Sequence, residues 1–466
     1  MITTERRSIL ITGSSGFLGS QLAFNLAEQG HIVYAVDSRV PASNFQKILK
    51  SFPNIIYIKS DVSNYVQFSE SIKDVEIDFI YHFAAVWGYG QLGDEIYERI
   101  NVQGTRNILQ LAIVHSVKRI FFASSLAVFN PSKQGAVITE QSPIDDYTMH
   151  PYGKSKACSE REIKLFCDTN PSGPDVTVVR LAGIFSDWCE LPPLAWMIAR
   201  WDTIGPMGRI IAGAGNTGMP YLHRDDFTAL MIKCMEAHQK MKHCETLIAS
   251  PSRVTTHNDM FPVIRRVLGR SGSPIYIPRS IVKIGMYAER IARMLVRLQP
   301  PPEEPWMLAF LDKPICSDSS ITQEKLGWKP TPSLSIENCL EDITKLSLTQ
   351  KEKWNAIHLA RDSGQIKAAG FKSSISPNPT LSMSKISEFT TARTGSMQTR
   401  MFHQLACSIK VCHQKKTALK KLSPPILPVH VSNNSKLRFF SKPTGSYLVS
   451  DLLVRNLPRI VHFLKK

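Results

Sequence analysis

The 466-residue chain has no uncharged apolar run of the ~18 residues that a membrane-spanning helix needs. Its opening, MITTERRSIL, lacks an apolar signal region and leads directly into a strand-like segment. The nine cysteines form no C-x-x-C pair and no metal-ligand spacing, which argues against a zinc module and for a reducing compartment. The 13 histidines do not cluster either, so no metal is expected. Acidic residues are scarce at one end only. Residues 351–466 hold 20 Lys and Arg against 4 Asp and Glu, whereas residues 1–350 hold 36 against 35. The net charge of +17 therefore belongs almost wholly to the tail. Few aromatics lie among the tail's lysines, so no nucleic-acid partner is expected. A cytoplasmic protein follows, with surface association with a membrane left open.

What is present reads as an ordinary globular body, 43% hydrophobic and 20% charged. Six short apolar runs alternate with helical stretches: residues 8–12, 31–37, 54–62, 78–85, 119–125 and 176–181. Near-continuous apolar strands separated by helices predict a doubly wound α/β domain with a parallel sheet over residues 1–181. Residues 182–350 break into shorter, Pro-punctuated segments and read as a substrate-binding region that closes the sheet and adds C-terminal helices. Residues 351–466, rich in Ser, Thr and Lys, read as a basic, largely disordered tail. Within 278–299, Ile281, Ile284, Tyr287, Ala288, Ile291, Met294, Leu295 and Leu298 recur at helical spacing among Lys283, Arg290, Arg293 and Arg297. Such a helix lays its apolar face on the core, on a membrane, or over an apolar pocket. The last 21 residues, 446–466, regain similar spacing and offer a second surface for peripheral membrane contact.

The first strand runs into ITGSSGFLGSQLAFNLAEQG. Gly13, Gly16 and Gly19 stand between a strand and a long helix, where a backbone without Cβ can approach a pyrophosphate at the helix N-terminus. Ser14, Ser15, Phe17 and Leu18 complete this turn, and the absence of a following Gly-Lys-Ser/Thr excludes a Walker-A loop. Asp37 ends the second strand, where a carboxylate accepts from an adenosine ribose and repels a 2′-phosphate, favouring NAD over NADP. Arg39, two residues on, keeps NADP open, because a guanidinium could receive that phosphate or stack on adenine. Asp61 and Val62 are placed to meet the adenine edge. The small Ala84 and Ala85 would let the cofactor lie close to the backbone.

The fifth strand ends in Ser124 and Ser125, where the open end of an α/β sheet binds ligands. Tyr152 and Lys156 follow at the start of the next helix. A phenol with an ordinary pKa of about 10 needs a nearby cation to act near neutral pH. Lys156, one helical turn away, can supply it and can also hold the nicotinamide ribose. Ser125 can hydrogen-bond a substrate oxygen while Tyr152 exchanges its proton.

With T-G-x-x-G-x-x-G at 12–19, HFAA at 82–85, NVQGT at 101–105, SSLAVF at 124–129 and YGKSK at 152–156, the chain resembles the extended short-chain dehydrogenases/reductases, the NAD-dependent epimerase/dehydratase superfamily. The resemblance spans roughly 8–346 and implies a Rossmann domain, a bound dinucleotide and catalytic Ser125, Tyr152 and Lys156. It also implies a site-shaping role for Asn101, and a homodimer. Residues 210–230, the 276–295 helix and LGWKPTPSLSIENCL (326–340) resemble the 3β-hydroxysteroid dehydrogenase-like branch. One departure is RLAGIFSDW (180–188), where relatives carry R-P-x-x-V-Y-G-P. Three readings result. The first is NAD-dependent oxidation or reduction of a bulky apolar alcohol or ketone. The second is a nucleotide-sugar epimerase or dehydratase, whose diphosphate Arg200, Arg209, Arg224 and Arg253 could serve. Leu126 beside Ser125, in place of a Glu, weighs against the dehydratase. The third is a non-catalytic dinucleotide sensor, which would have no use for the Ser/Tyr/Lys set.

Overall fold

A computed structural model describes residues 5–368, apart from 42, 89–91, 132–135, 146–149 and 296–302. Its first part alternates β1 (Ser8–Thr12), α1 (Phe17–Glu28), β2 (Ile32–Asp37), α2 (Ser43–Ser51), β3 (Ile55–Lys59), α3 (Tyr65–Ile72) and β4 (Phe79–His82). Next come α4 (Asp94–Tyr97), a π-helical segment (Glu98–Gln103), α5 (Gly104–Val114), β5 (Arg119–Ser125), β6 (Val137–Ile138), α6 (Pro151–Thr169), β7 (Asp175–Leu181) and β8 (Gly183–Phe185). Then follow α7 (Pro192–Trp201), β9 (Ile210–Ala212), β10 (Gly218–Met219), β11 (Tyr221–His223), α8 (Arg224–Glu236), β12 (Cys244–Ala249) and α9 (His257–Val267). The described chain ends with α10 (Arg279–Leu295), α11 (Ser320–Leu326), α12 (Ile336–Thr349) and α13 (Lys351–Ala368).

Seven strands form one sheet in the order β12-β7-β5-β4-β1-β2-β3, and all its pairs are parallel. Ile9, Leu10 and Ile11 of β1 are fully buried because both faces of the sheet are covered. One face packs Leu22 and Leu26 of α1 with Phe227 and Leu230 of α8, and the other packs Phe68 of α3, Ile108 of α5 and Ile163 of α6. The strand order reverses between β1 and β4, which opens a crevice at their C-terminal ends. All six expected apolar runs form strands, but β3 stops at Lys59 and β4 at His82. Asp61, Val62, Ala84 and Ala85 therefore lie in the turns beyond these strands, at the crevice edge.

Three features bear on the sequence expectations. The sheet has a seventh strand, β12, drawn from the region after 182. The folded chain also passes the expected boundary at 350. α13 packs Trp354 into a cluster with Trp201, Phe261 and Ile336, so residues 351–368 are not part of a low-order tail. The remainder of the basic tail, including 446–466, lies outside the described residues. Finally, α10 does not lay its whole apolar face on the core, because Ile281, Ile284, Ile291 and Met294 are exposed. No described helix is long and apolar enough to cross a membrane.

Candidate active site

The turn after β1 depends on its glycines. Gly13 has φ +69°, and a Cβ there would stand 2.8 Å from the Ala84 nitrogen. A Cβ on Gly19 would come within 2.4 Å of the Gly13 carbonyl oxygen, so α1 could not press against the turn. Gly16 starts α1 with no side-chain cap, and the helix has no acidic residue in its first turn, which begins with Phe17 and Leu18. The Ser14 hydroxyl is buried with no hydrogen-bond partner among the described residues. An uncapped helix start, an approachable backbone and an orphaned donor fit a dinucleotide pyrophosphate.

Asp37 is brought to this turn. Its Oδ2 accepts from the Ser15 N–H at 3.0 Å, and its two oxygens are bridged by the Arg39 guanidinium at 3.0 and 3.1 Å. Arg39 is thus paired with Asp37 at this turn. Asp61 turns back on Ser63, accepting from its N–H and hydroxyl at 2.9 and 2.8 Å. The Val62 carbonyl accepts from Asn107 at 2.8 Å. Across the crevice, the Thr12 hydroxyl accepts from the Phe83 and Ala84 N–H groups, each at 3.2 Å, and pairs with His82 Nδ1 at 2.8 Å. Burial lowers the His82 pKa to about 3, so the ring is a neutral strut. Ala85 follows with Val86, which Asn101 holds from both sides through its side-chain amide, at 2.8 Å to each backbone group. Asn101 lies in the π-helical segment, a local distortion of the kind found at functional sites. Its Nδ2 also donates to Ser155 on α6 at 2.8 Å. Asn101 therefore joins the α4–α5 region to α6.

α6 opens beside the 3-10 turn that follows β5. Pro151 sits at its first position, where the missing N–H costs nothing. A Cβ on Gly153 would lie 1.9 Å from the Ala127 oxygen, so only glycine permits this approach. The Ser125 hydroxyl accepts from the Ala127 N–H at 3.1 Å, which leaves its own proton available to donate. The Tyr152 ring packs with Leu92 against Val86, Ile96, Tyr97 and Ile100. Lys156 Nζ stands 5.9 Å from that ring's centre and donates to the Ala123 carbonyl at 2.7 Å. Burial lowers the Lys156 ammonium to about 7, with Glu160 pulling the other way. Tyr152 and Lys156 thus lie on α6 beside the turn that follows Ser125.

Ser124 differs from its expected place at the cofactor. Successive strand residues face opposite sides, so Ser125 takes the crevice side and the fully buried Ser124 hydroxyl binds Glu160. Glu160 in turn receives Arg180 of β7, with Nη2 to Oε2 at 2.9 Å and both side chains 6% exposed. The signal for Glu160 lay in its position four residues after Lys156, on the same helix face. Sequence reasoning also missed His150 and Trp306. The His150 ring centre lies 5.8 Å from that of Tyr152, edge-on, and 4.5 Å from that of Trp306, tilted, so an aromatic cluster surrounds the Tyr152 ring. Among the described residues no His/Cys/Asp/Glu group could hold a metal.

Residues 9–248 match the model of the NAD dependent epimerase/dehydratase family. The chain belongs to that family. It is an enzyme of the extended short-chain dehydrogenase/reductase type, and its cofactor is NAD. Among similar curated proteins is short-chain dehydrogenase/reductase family 42E member 1 of Danio rerio. It is 21% identical over 309 residues, covering 63% of this chain and 76% of that protein. The decarboxylating sterol-4-alpha-carboxylate 3-dehydrogenase of Candida albicans is 31% identical over 186 residues, 38% of this chain and 51% of that one. The crystal structure of dTDP-glucose 4,6-dehydratase from Bacillus anthracis in complex with NAD shares the fold at a TM-score of 0.58. It is 17% identical and covers 75% of this chain and 99% of its own.

Proposed function

We propose that this family member oxidises or reduces a bulky apolar secondary alcohol or ketone of the 3β-hydroxysteroid kind. The observation that carries the proposal is the apolar setting of Tyr152, walled by Val86, Leu92, Ile96, Tyr97 and Ile100. NAD supplies the hydride acceptor or donor. Tyr152 takes the hydroxyl proton in oxidation and returns it in reduction, Ser125 donates to the substrate oxygen, and Lys156 steadies the phenolate and binds the ribose. Asn101 acts by positioning α6. The turn of Gly13, Ser14, Ser15, Gly16, Phe17, Leu18 and Gly19 receives the pyrophosphate, and Asp37 the adenosine ribose after displacing Arg39. Asp61, Val62, Ala84 and Ala85 border the adenine and the crevice floor.

Three of the four arginines that could have served a nucleotide sugar have other partners, while the fourth, Arg224, lies 5.2 Å from the centre of the Phe17 ring. Arg200 pairs with Glu303 at 3.3 Å and Arg253 with Glu337 at 3.0 Å, while Arg209 donates to the Ser273 carbonyl at 2.7 Å. Exposed Ile281, Ile284, Ile291 and Met294, beside Arg279 and Lys283, support peripheral contact of α10 with an anionic membrane, where apolar substrates concentrate. The test is NADH formation by the full-length enzyme from 3β-hydroxysteroids, with UDP- and dTDP-sugars in parallel. Tyr152→Phe should lower kcat by about 10²–10⁴. Sugar conversion without NADH accumulation would replace this reading with an epimerase. Turnover of neither class by enzyme that still binds NADH would overturn the substrate class alone.

A further inference from the structure

Arg224 is the first residue of α8, which begins directly after β11. The start of a helix favours anions, so a guanidinium there is out of keeping with the helix itself. Asp225 and Asp226 follow in the same turn, but neither binds it closely. Asp226 is occupied by Thr331, accepting from its N–H at 2.9 Å and from its hydroxyl at 2.6 Å. Asp225 faces solvent, and its Oδ1 stands 3.9 Å from Arg224 Nε, beyond hydrogen-bond reach. Asp225 is the nearest carboxylate to Arg224 among the described residues. The Nε is buried and has no hydrogen-bond partner among them, although a quarter of the side chain remains exposed. A desolvated donor left unmade at the positive end of a helix costs stability until an anion joins it.

The fold sets this end of α8 beside the start of α1. Phe227 and Leu230 of α8 share a core cluster with Leu22 and Leu26 of α1. α1 leaves the C-terminal end of β1, at the crevice. α8 leads into β12, a strand of the same all-parallel sheet, so it too starts at the crevice end. The two starts meet at Arg224, whose guanidinium carbon lies 5.2 Å from the centre of the Phe17 ring. Phe17 opens α1, which has no side-chain cap and no acidic residue in its first turn. Two positive helix ends and a guanidinium therefore gather at the turn that holds the unpartnered Ser14 hydroxyl. The other cation of this turn, Arg39, is already bound to Asp37. Such a grouping favours an anion between its members.

We propose that Arg224 is a binding residue for the dinucleotide pyrophosphate, supplying from α8 the positive charge that the uncapped turn of α1 lacks. The proposal rests on the placing of that pyrophosphate at the Gly13–Gly19 turn and is independent of the substrate class. NADH titration of the full-length protein, followed by fluorescence without substrate, tests it. Arg224→Met keeps an apolar stem against Phe17 and removes the charge. It should raise the NADH Kd about tenfold or more, the loss of one hydrogen bond to a charged group. ADP-ribose, which carries the pyrophosphate, should weaken as a competitor by the same factor. Adenosine, which lacks it, should compete equally in both proteins. Wild-type NADH affinity in Arg224→Met would overturn the proposal. Equal losses for ADP-ribose and adenosine would also overturn it, because they mark a change in packing. So would unchanged NADH affinity with lost UDP binding by the NADH-loaded variant, since Arg224 would then serve a substrate diphosphate. Should Arg224→Met not fold, Arg224→Gln is subject to the same comparisons. Gly16→Asp, run in parallel, caps α1 and sets a carboxylate in the turn, and should lose NADH binding. Retained affinity there would overturn the pyrophosphate's placing and this proposal with it. Lost affinity there beside an unaffected Arg224→Met would overturn this proposal alone.

Discussion

Lys156 donates to the Ala123 carbonyl at 2.7 Å, and burial lowers its ammonium to about 7. Its unfolded-state value is 10.5. Between these values the unfolded chain binds a proton that the folded chain does not, so this lysine's contribution to stability rises with pH from about 7 to about 10.5. Relative to Lys156→Met, the wild type should therefore gain stability across that window, by at most about 5 kcal/mol at 1.36 kcal/mol per unit. Urea midpoints measured at pH 6.5, 8 and 9.5 would show it, and a difference independent of pH would contradict it. At this scale the glycine turn, Asp37, Tyr152 and Lys156 were legible because short spacings encode both their chemistry and their place on a strand–turn–helix unit. Ser124 was not, because adjacent strand residues differ in face and the sequence does not say which serine looks into the crevice. Arg39 was legible only as an alternative, and its two hydrogen bonds to Asp37 were not.

α6 carries two functions on opposite ends of one face. Its first two turns present Tyr152 and Lys156, and one turn later Glu160 anchors the helix to β7 through Arg180. Removing one member of a buried pair leaves the other charge uncompensated, which costs about 3–5 kcal/mol. Glu160→Gln should lose that much in urea denaturation. The double change Glu160→Met/Arg180→Met should recover most of it, since an apolar pair leaves no buried charge. Equal losses in the two variants would show that shape, not charge, matters there. Strands β1–β5 and β7 were legible as apolar runs because burial on both faces removes polar alternation. β12 was harder to see, since Cys244 and Glu245 interrupt its apolar character and its six residues lie among Pro-punctuated segments. The π-helical turn that places Asn101 left no periodic signal, because its geometry is set by contacts with Val86 and Ser155, which are distant in sequence.

The first 350 residues are nearly neutral and look complete, yet α13 is built into the body. Its buried face is made of Trp354, His358 and Arg361 rather than a run of aliphatic residues, so composition assigns it to the basic tail while packing does not. The apolar pattern of α10 left its partner surface open, and much of that face meets solvent. These two helices show the limit of pattern reading: periodicity reports that a face exists, and only the partner surface decides whether it is covered. The α13 boundary can be tested with two fragments, 1–350 and 1–370. Deleting a buried Trp costs about 3–5 kcal/mol, and the shorter fragment also strips His358 and Arg361 from the carbonyls of residues 188–190. Its thermal midpoint should fall by on the order of 4–7 °C relative to 1–370, at about 1.3 °C per kcal/mol given ~2.1 cal/mol/K of unfolding entropy per residue. Equal midpoints in the two fragments would place α13 outside the folded body, because only a helix packed on that body can add to its cooperative unfolding.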